Sequence, residues 1–232
     1  MQDRAFFKTR YNNLELIMKI YYLFLVLVYT ILNVSCQQEQ TDIISDEQKD
    51  VSSENYWNQA NDKYEKKDYE GALSDFNKVV ESDPSNSMAY NRMGKIQADL
   101  KNYQAAIKQF NQAIAINSNN PEYYVNRANS KFQLYDSRGC ISDCNKALEL
   151  DSNRIQAYIN RGAAKSDLEL YEQALADFSI AIKLDPYNGS AYYNRGFVRQ
   201  KLGNQDAACE DYSKAGELGI EVAYLDIKKF CF

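Results

Sequence analysis

The 232-residue chain predicts an all-α fold: a curved stack of five helical hairpins closed by one further helix. Three observations predict it. Five blocks of 34 residues follow one another without insertion from Ser53 to Val222. Each block places small and bulky residues at the same offsets. Each also breaks at the same two places, where turn formers stand. A period of this length built from helix–turn–helix units specifies a solenoid, because each unit buries its apolar face only against its neighbours.

The blocks begin at Ser53, Ser87, Pro121, Ile155 and Gly189. In the first helix of each, the fourth offset carries Tyr56, Tyr90, Tyr124, Tyr158 and Tyr192. The eighth carries Ala60, Gly94, Ala128, Gly162 and Gly196. These positions lie one turn apart on one face, so a ring fills volume beside a gap that admits a neighbouring helix. In the second helix, offset 20 carries Ala72, Ala106, Cys140, Ala174 and Ala208. Offset 24 carries Phe76, Phe110, Cys144, Phe178 and Tyr212, and offset 27 carries Val79, Ala113, Ala147, Ala181 and Ala215. Spacings of four and three put all three on one helical face. Polar breaks such as Lys66-Lys67-Asp68, Lys101-Asn102 and Gly203-Asn204 separate the two helices. Asp83-Pro84-Ser85-Asn86 and Asp185-Pro186-Tyr187-Asn188 stop the second one, since proline cannot continue a helix. Ser118 and Ser152 stand in the proline's place in blocks two and three, where the asparagines that follow still favour a turn. Beyond Val222, residues 223–232 hold an amphipathic segment and predict a capping helix.

Segments such as Ala191-Tyr192-Tyr193-Asn194-Arg195-Gly196 and Tyr171-Glu172-Gln173-Ala174-Leu175 are similar to the consensus of the tetratricopeptide repeat family. The resemblance implies a right-handed superhelical solenoid that serves as a protein-interaction scaffold. The third block departs most from the pattern, with Ser137 at offset 17 and cysteines at offsets 20 and 24, and is expected to pack least tightly.

The N-terminus is a different kind of sequence. Ile20 to Val34 is a mostly apolar run preceded by Lys19, too short for a spanning helix and suited to a secretory signal. Residues 1–35 are read as that signal, with 1–17 an upstream extension if the start is Met18. Leu32-Asn33-Val34-Ser35-Cys36 resembles a bacterial lipoprotein signal, although Asn33 holds the place where that signal prefers leucine. The resemblance implies lipidation of Cys36 and an outer-membrane lipoprotein facing the periplasm or the surface. An uncleaved anchor and plain secretion are the alternatives. Residues 36–52 are polar and acidic and read as a flexible tether.

Cys140 and Cys144 stand at core offsets and read as small buried hydrophobes rather than a metal pair, since the chain has no histidine. A turn near Gly219 brings Cys209 close to Cys231, either as a disulfide or as two packing thiols. The net charge of −5 and the absence of a basic run argue against nucleic acid. Without histidine, a phosphate-cradling glycine loop or a carboxylate pair in a pocket, no reaction class suggests itself, and no cofactor or metal is expected.

The family resemblance places offsets 2, 5, 6, 9, 12 and 13 of the first helices on the concave face. Offset 6 then carries Asn58, Arg92, Asn126, Asn160 and Asn194, a row of amides similar to the ladder of O-GlcNAc transferases that grips a peptide backbone. The competing reading is that these asparagines only bridge neighbouring helices. Trp57, Tyr64, Phe132, Tyr193 and Phe197 offer apolar anchors beside them. A second row, Arg127, Arg161 and Arg195, is expected to pair with acids of the adjacent repeat such as Asp177 or Asp211. Two functions follow as expectations. One is a membrane-tethered scaffold that takes an extended protein segment in its groove. The other is a structural assembly lipoprotein of an envelope complex, of the outer-membrane insertion or pilus and secretin type, working through its convex face or edges.

Overall fold

The computed structural model describes residues 53–231. The expected signal, the tether and Cys36 lie outside those residues, as does Phe232 at the end of the expected cap. The described residues are helical, with short turns and no strand among them. A first helix, α1, covers 53–65. After it come α2 (Tyr69–Ser82), α3 (Ser87–Asp99), α4 (Tyr103–Ile116), α5 (Pro121–Gln133) and α6 (Ser137–Leu150). Then follow α7 (Ile155–Asp167), α8 (Tyr171–Leu184), α9 (Gly189–Lys201), α10 (Gln205–Glu217) and α11 (Glu221–Phe230). From Tyr56 onward each helix packs on the next, and α3, α5, α7 and α9 also touch one another in sequence, which lays the first helices side by side.

The turns inside the hairpins share one backbone device. Lys67, Lys101, Tyr135, Glu169 and Gly203 all have φ near +60 to +80°, at 59–79°. They sit at the same offset and form the left-handed residue that ends a helix. The next amide reaches back around it: Asp68 N to Lys63 O at 2.9 Å, Asn102 N to Gln97 O at 2.8 Å, Leu170 N to Lys165 O at 2.9 Å. Only Gly203 takes that conformation without a Cβ penalty. The following helices are then capped where an acid or amide is available. Asp68 accepts from Gly71 N, Asn86 from Ala89 N, Asp136 from Gly139 N and Asn188 from Ala191 N.

Core packing follows the small-and-bulky code. The aromatic at offset 24 seats on the small residue at offset 8 of the same hairpin. A Cβ added to Gly94 would stand 2.5 Å from the Phe110 ring, and one on Gly162 2.8 Å from the Phe178 ring. In the third hairpin Cys144 replaces the ring and Ala128 the glycine, and both are fully buried with Cys140 and Ala147. That hairpin was expected to be loose, yet its odd residues are occupied. Ser137 is buried and donates to Asp167 at 2.5 Å, and the Cys140 thiol donates to the Asn160 carbonyl at 3.6 Å. The contact with Cys140 and burial push the Cys144 thiol far above its usual range.

The closing helix differs from the expected one. It starts at Glu221, two residues inside the fifth 34-residue block, because α10 and the turn after it are each one residue shorter than α8 and its turn. That shift puts Ala223 in the buried place of Ala157 and Ala191, and the Tyr224 ring over Gly216. In register, α11 is therefore the first helix of a further hairpin. Its far end is fastened to α10 by the Cys209–Cys231 disulfide, with Cα atoms 5.8 Å apart, and by Gln205 Nε2 donating to the Phe230 carbonyl.

Candidate functional site

The first helices of the third, fourth and fifth hairpins leave a cleft of about 590 Å³ between them. α5 contributes Asn129, Phe132 and Gln133; α7 contributes Ile159, Asn160, Ala163 and Asp167; α9 contributes Ser190, Asn194, Phe197 and Lys201. Every one of these falls on an offset that the family resemblance assigns to the concave face. Ile159 and Phe178 are buried and form part of the floor, while Phe197 is 40% exposed at the rim. The Lys201 ammonium stands 5.2 Å from the centre of the Phe197 ring.

The sequence-predicted groove residues divide. Phe132, Asn160, Asn194 and Phe197 come together in the cleft. Asn126 lies in a smaller hollow with Lys95, Asp99 and Asn129, but its amide is already used. It donates to the Asn91 side chain at 2.9 Å, and Asn91 donates on to Glu122 at 3.4 Å, so the chain ties α3 to α5. Here the amide does bridge neighbouring helices. Asn58 is exposed on α1 and Arg92 is half-buried on α3. Trp57 packs edge-on against Phe76 with ring centres 5.4 Å apart, within the apolar cluster of the first hairpin. Tyr64 donates to Asp99 at 2.9 Å, and Tyr193 donates to Asp226 of α11 at 2.8 Å. Burial, then the bond to the neighbouring carboxylate, pushes each of these phenols up to about 12. The four asparagines and one arginine of the offset-6 row therefore do not share one environment.

Asn160 is the unusual member. It is only 8% exposed, and its Oδ1 accepts from Gln156 Nε2 at 2.7 Å. Its Nδ2 is buried and has no acceptor. A buried amide N–H without a partner costs about 1–3 kcal/mol, and most such groups in folded proteins are satisfied.

The arginine row is structural, but its partners are not those of the adjacent repeat. Arg127 grips Asp143 with Nε at 2.8 Å and Nη2 at 2.6 Å. Arg161 holds Asp177 at 3.0 and 2.7 Å, and Arg195 holds Asp211 at 2.9 and 2.7 Å. Each acid sits in the same hairpin as its arginine, 16 residues on, which is one helix and one turn later. The third nitrogen, Nη1, reaches back to the previous hairpin: Asn111 at 2.7 Å for Arg127 and Asn145 at 2.6 Å for Arg161. A second cation four residues after the arginine completes each set: Lys131 on Asp143, Lys165 on Asp177 and Arg199 on Asp211, all at 2.8 Å. Sequence reasoning named Asp177 and Asp211 as partners but missed that they lie in the same hairpin as their arginines and that a second cation completes each set. The signal was present, because Asp75, Asp143, Asp177 and Asp211 share offset 23. The second hairpin carries Met93, Gln97 and Gln109 at the three places and has lost the charges together. Among the described residues there is no cluster of three potential metal ligands, and no helix is long and apolar enough to cross a membrane.

Comparison with known proteins agrees with this geometry. Residues 58–121 match one tetratricopeptide repeat family, 167–203 a TPR repeat family, and 189–218 a further tetratricopeptide repeat family. No curated protein matches the chain. Among solved structures it is similar to MamA, at 22% identity and a TM-score of 0.64 over 72% of this chain and 91% of that one. It is also similar to YrrB, described as a TPR protein with an unusual peptide-binding site, at 24% identity and 0.61 over 75% and 90%. PilW, a type IV pilus biogenesis factor, matches at 20% identity and 0.66 over 72% and 77%. These likenesses are of fold.

Proposed function

The chain carries tetratricopeptide repeats, and on that premise we propose that it is a protein-interaction scaffold whose concave face receives an extended segment of another protein. The observation that carries this reading is the cleft built by α5, α7 and α9. It has an apolar floor, to which the stacking ring of Phe178 contributes, and amides at its edge, and the rest of its first-helix lining comes from the concave-face offsets. A surface of this kind holds a partner through a buried anchor and a polar surround. Nothing in its wall pairs a nucleophile with a base, so it is suited to binding rather than to chemistry.

The scaffold is further proposed to act from a membrane. The support is in the sequence, in the apolar run from Ile20 to Val34 and the Cys36 that follows Ser35. A lipid on Cys36 and the 16 residues from Gln37 to Ser52 would let the repeats work up to roughly 55 Å from the bilayer, at about 3.4 Å per residue. Intact mass of the protein purified from its own cells tests this part. An acyl mass on a chain starting at Cys36 supports it, and an unmodified chain that retains residues 1–35 removes it.

The binding reading is tested by capture from solubilised envelope with the full chain and with a Phe132→Ser/Phe197→Ser double variant. A partner held by the parent and released by the variant supports the concave face. A partner held equally by both would place the interface elsewhere on the stack, on the convex side or an edge.

A further inference from the structure

Resting on the groove reading above, we infer that the cleft takes the interior of an extended peptide, anchored by one bulky uncharged residue whose backbone carbonyl accepts a hydrogen bond from Asn160 Nδ2, and that it excludes a chain-terminal carboxylate. Three features argue for this class of ligand. The first is charge. Asp167, Glu169 and Lys201 are the charged residues of the cleft wall. Lys201 already stands over the Phe197 ring, and the two acids lie together at the C-terminal end of α7 and the turn after it. A carboxylate entering here would lose water and meet two like charges, with no cation free at the centre. A neutral stretch of main chain meets no such cost.

The second feature is Asn160. Its Nδ2 has no acceptor, while its Oδ1 is held by Gln156, an exposed side chain at the start of α7. A carbonyl oxygen is the acceptor that this amide lacks. Gln156 is free to swing into water and yield its place, because nothing buries it. The other offset-6 asparagines differ: Asn126 has given its amide to Asn91, and Asn58 lies far along the stack on α1. Asn160 and Asn194 are the offset-6 amides that line the cleft, so the grip is confined to two hairpins and is not a ladder along the stack.

The third feature is the floor. Phe132, Ile159, Ala163 and Phe197 come from three different helices and surround one apolar depression beside Asn160. Ala163 is small where the equivalent residues of the neighbouring hairpins are Asn129 and Phe197, which leaves room for a side chain from outside. A leucine, methionine or phenylalanine suits such a site. The anchor supplies affinity and the carbonyl fixes the register.

The test uses the full chain and two displayed libraries of one random nonapeptide, the first flanked on both sides and the second ending in a free carboxylate. Enrichment is expected in the flanked library alone, with one large apolar residue at a constant position. Enriched peptides made with amidated ends should lose about tenfold in affinity to Asn160→Ala, which removes one hydrogen bond. Phe197→Ser should cost more than tenfold, as loss of an anchor contact does. Asn160→Ala should leave the melting temperature unchanged or higher, since it deletes an unmatched buried group, so lost binding cannot be put down to lost folding. Enrichment from the carboxylate library, enrichment of acidic peptides, binding insensitive to Asn160→Ala, or no enrichment from either library would each overturn the inference. The groove reading fails separately, when the captured partner ignores the Phe132→Ser/Phe197→Ser variant.

Discussion

The buried carboxylates give the sharpest stability prediction. Asp177 is 3% exposed at its side chain and faces two cations, Arg161 at 18% and Lys165 at 15% exposure. Asp177→Ala leaves both cations in that wall without a counter-charge. Removing one partner of a buried ion pair costs about 3–5 kcal/mol. Lys165 can turn its ammonium outward on a flexible stem, so the lower end, about 3 kcal/mol, is expected. The second hairpin supplies the control. It fills the equivalent places with Met93, Gln97 and Gln109 and still buries Met93 against the first hairpin's core. The triple variant Arg161→Met/Lys165→Gln/Asp177→Gln copies that solution and should fall within about 1 kcal/mol of the parent, because a buried ion pair contributes little net stability over a neutral set of similar volume. Hydrogen exchange of the α7 and α8 amides is the suitable assay, since a repeat array can open one hairpin at a time. Equal damage in the triple and the single variant would refute the reasoning and mean that the acid acts through its particular bonds instead of through charge balance.

Three further predictions follow from other parts of the stack. The Cys209–Cys231 bond spans 22 residues, and closing a loop of that length stabilises by about 3 kcal/mol; reductant should lower the unfolding midpoint of the parent and leave Cys209→Ser/Cys231→Ser unmoved. Tyr135 holds φ at 61° with its side chain 89% exposed, so Tyr135→Gly should stabilise by about 1 kcal/mol in urea unfolding, against no gain at Gly203, where the sequence already has glycine. Titration gives the third. Tyr64 and Tyr193 keep their protons up to about 12 when folded, against about 10 when unfolded, so their contribution is whole below pH 10 and is lost as the pH climbs from about 10 to about 12. Asp75 runs the other way. Burial works to raise it, but the hydrogen bonds from Lys63 and Lys78 outweigh that and hold it below the usual carboxylate range, so its contribution is present above about pH 4 and is lost as the pH falls through the lowered value. Ultraviolet titration of the phenols and unfolding midpoints across pH check both arms; phenols that all ionise together near 10 would contradict the first.

The hairpins were legible because the stack repeats its constraints. A ring at offset 24 needs a gap at offset 8, and that pair alone, as with Phe178 over Gly162, marks two helices and their distance along the chain. The turn device was half legible: Gly203 announces a left-handed residue, but Lys67, Lys101, Tyr135 and Glu169 do not, and only the equivalence of offsets reveals them. The acid at offset 23 repeats in four of the five hairpins, and Asp177 and Asp211 were expected to meet the arginine row, but their place in the arginines' own hairpins was not legible. A carboxylate on a helix reads as a solvated group until its partner, 16 residues earlier, is placed opposite. The asparagine row misled in the opposite direction. Five equivalent backbone positions look like one functional row, yet the side chains find different partners: Asn126 bonds Asn91 one hairpin away, and Asn160 bonds Gln156 on its own helix. Equivalence of offset fixes where a Cβ points and does not fix what the amide at its end will bond.

That distinction also says where specificity resides. Stacking consumes offsets 4, 8, 20, 24 and 27, and the ion sets consume 7, 11 and 23, so these positions vary little or vary together. The offsets that face the cleft are under no such demand. Offset 5 runs Trp57, Asn91, Val125, Ile159 and Tyr193; offset 9 runs Asn61, Lys95, Asn129, Ala163 and Phe197; offset 12 runs Tyr64, Ala98, Phe132, Ser166 and Gln200. Offsets 5 and 9 turn from polar in the second hairpin (Asn91, Lys95) to apolar in the fourth and fifth (Ile159, Ala163, Tyr193, Phe197), while offset 12 turns the other way, from Phe132 to Ser166 and Gln200. The concave face therefore changes character along the stack, and the apolar depression beside Asn160 falls where small and large residues alternate between neighbours. A partner strand lying along it would be read at that depression and merely accommodated elsewhere.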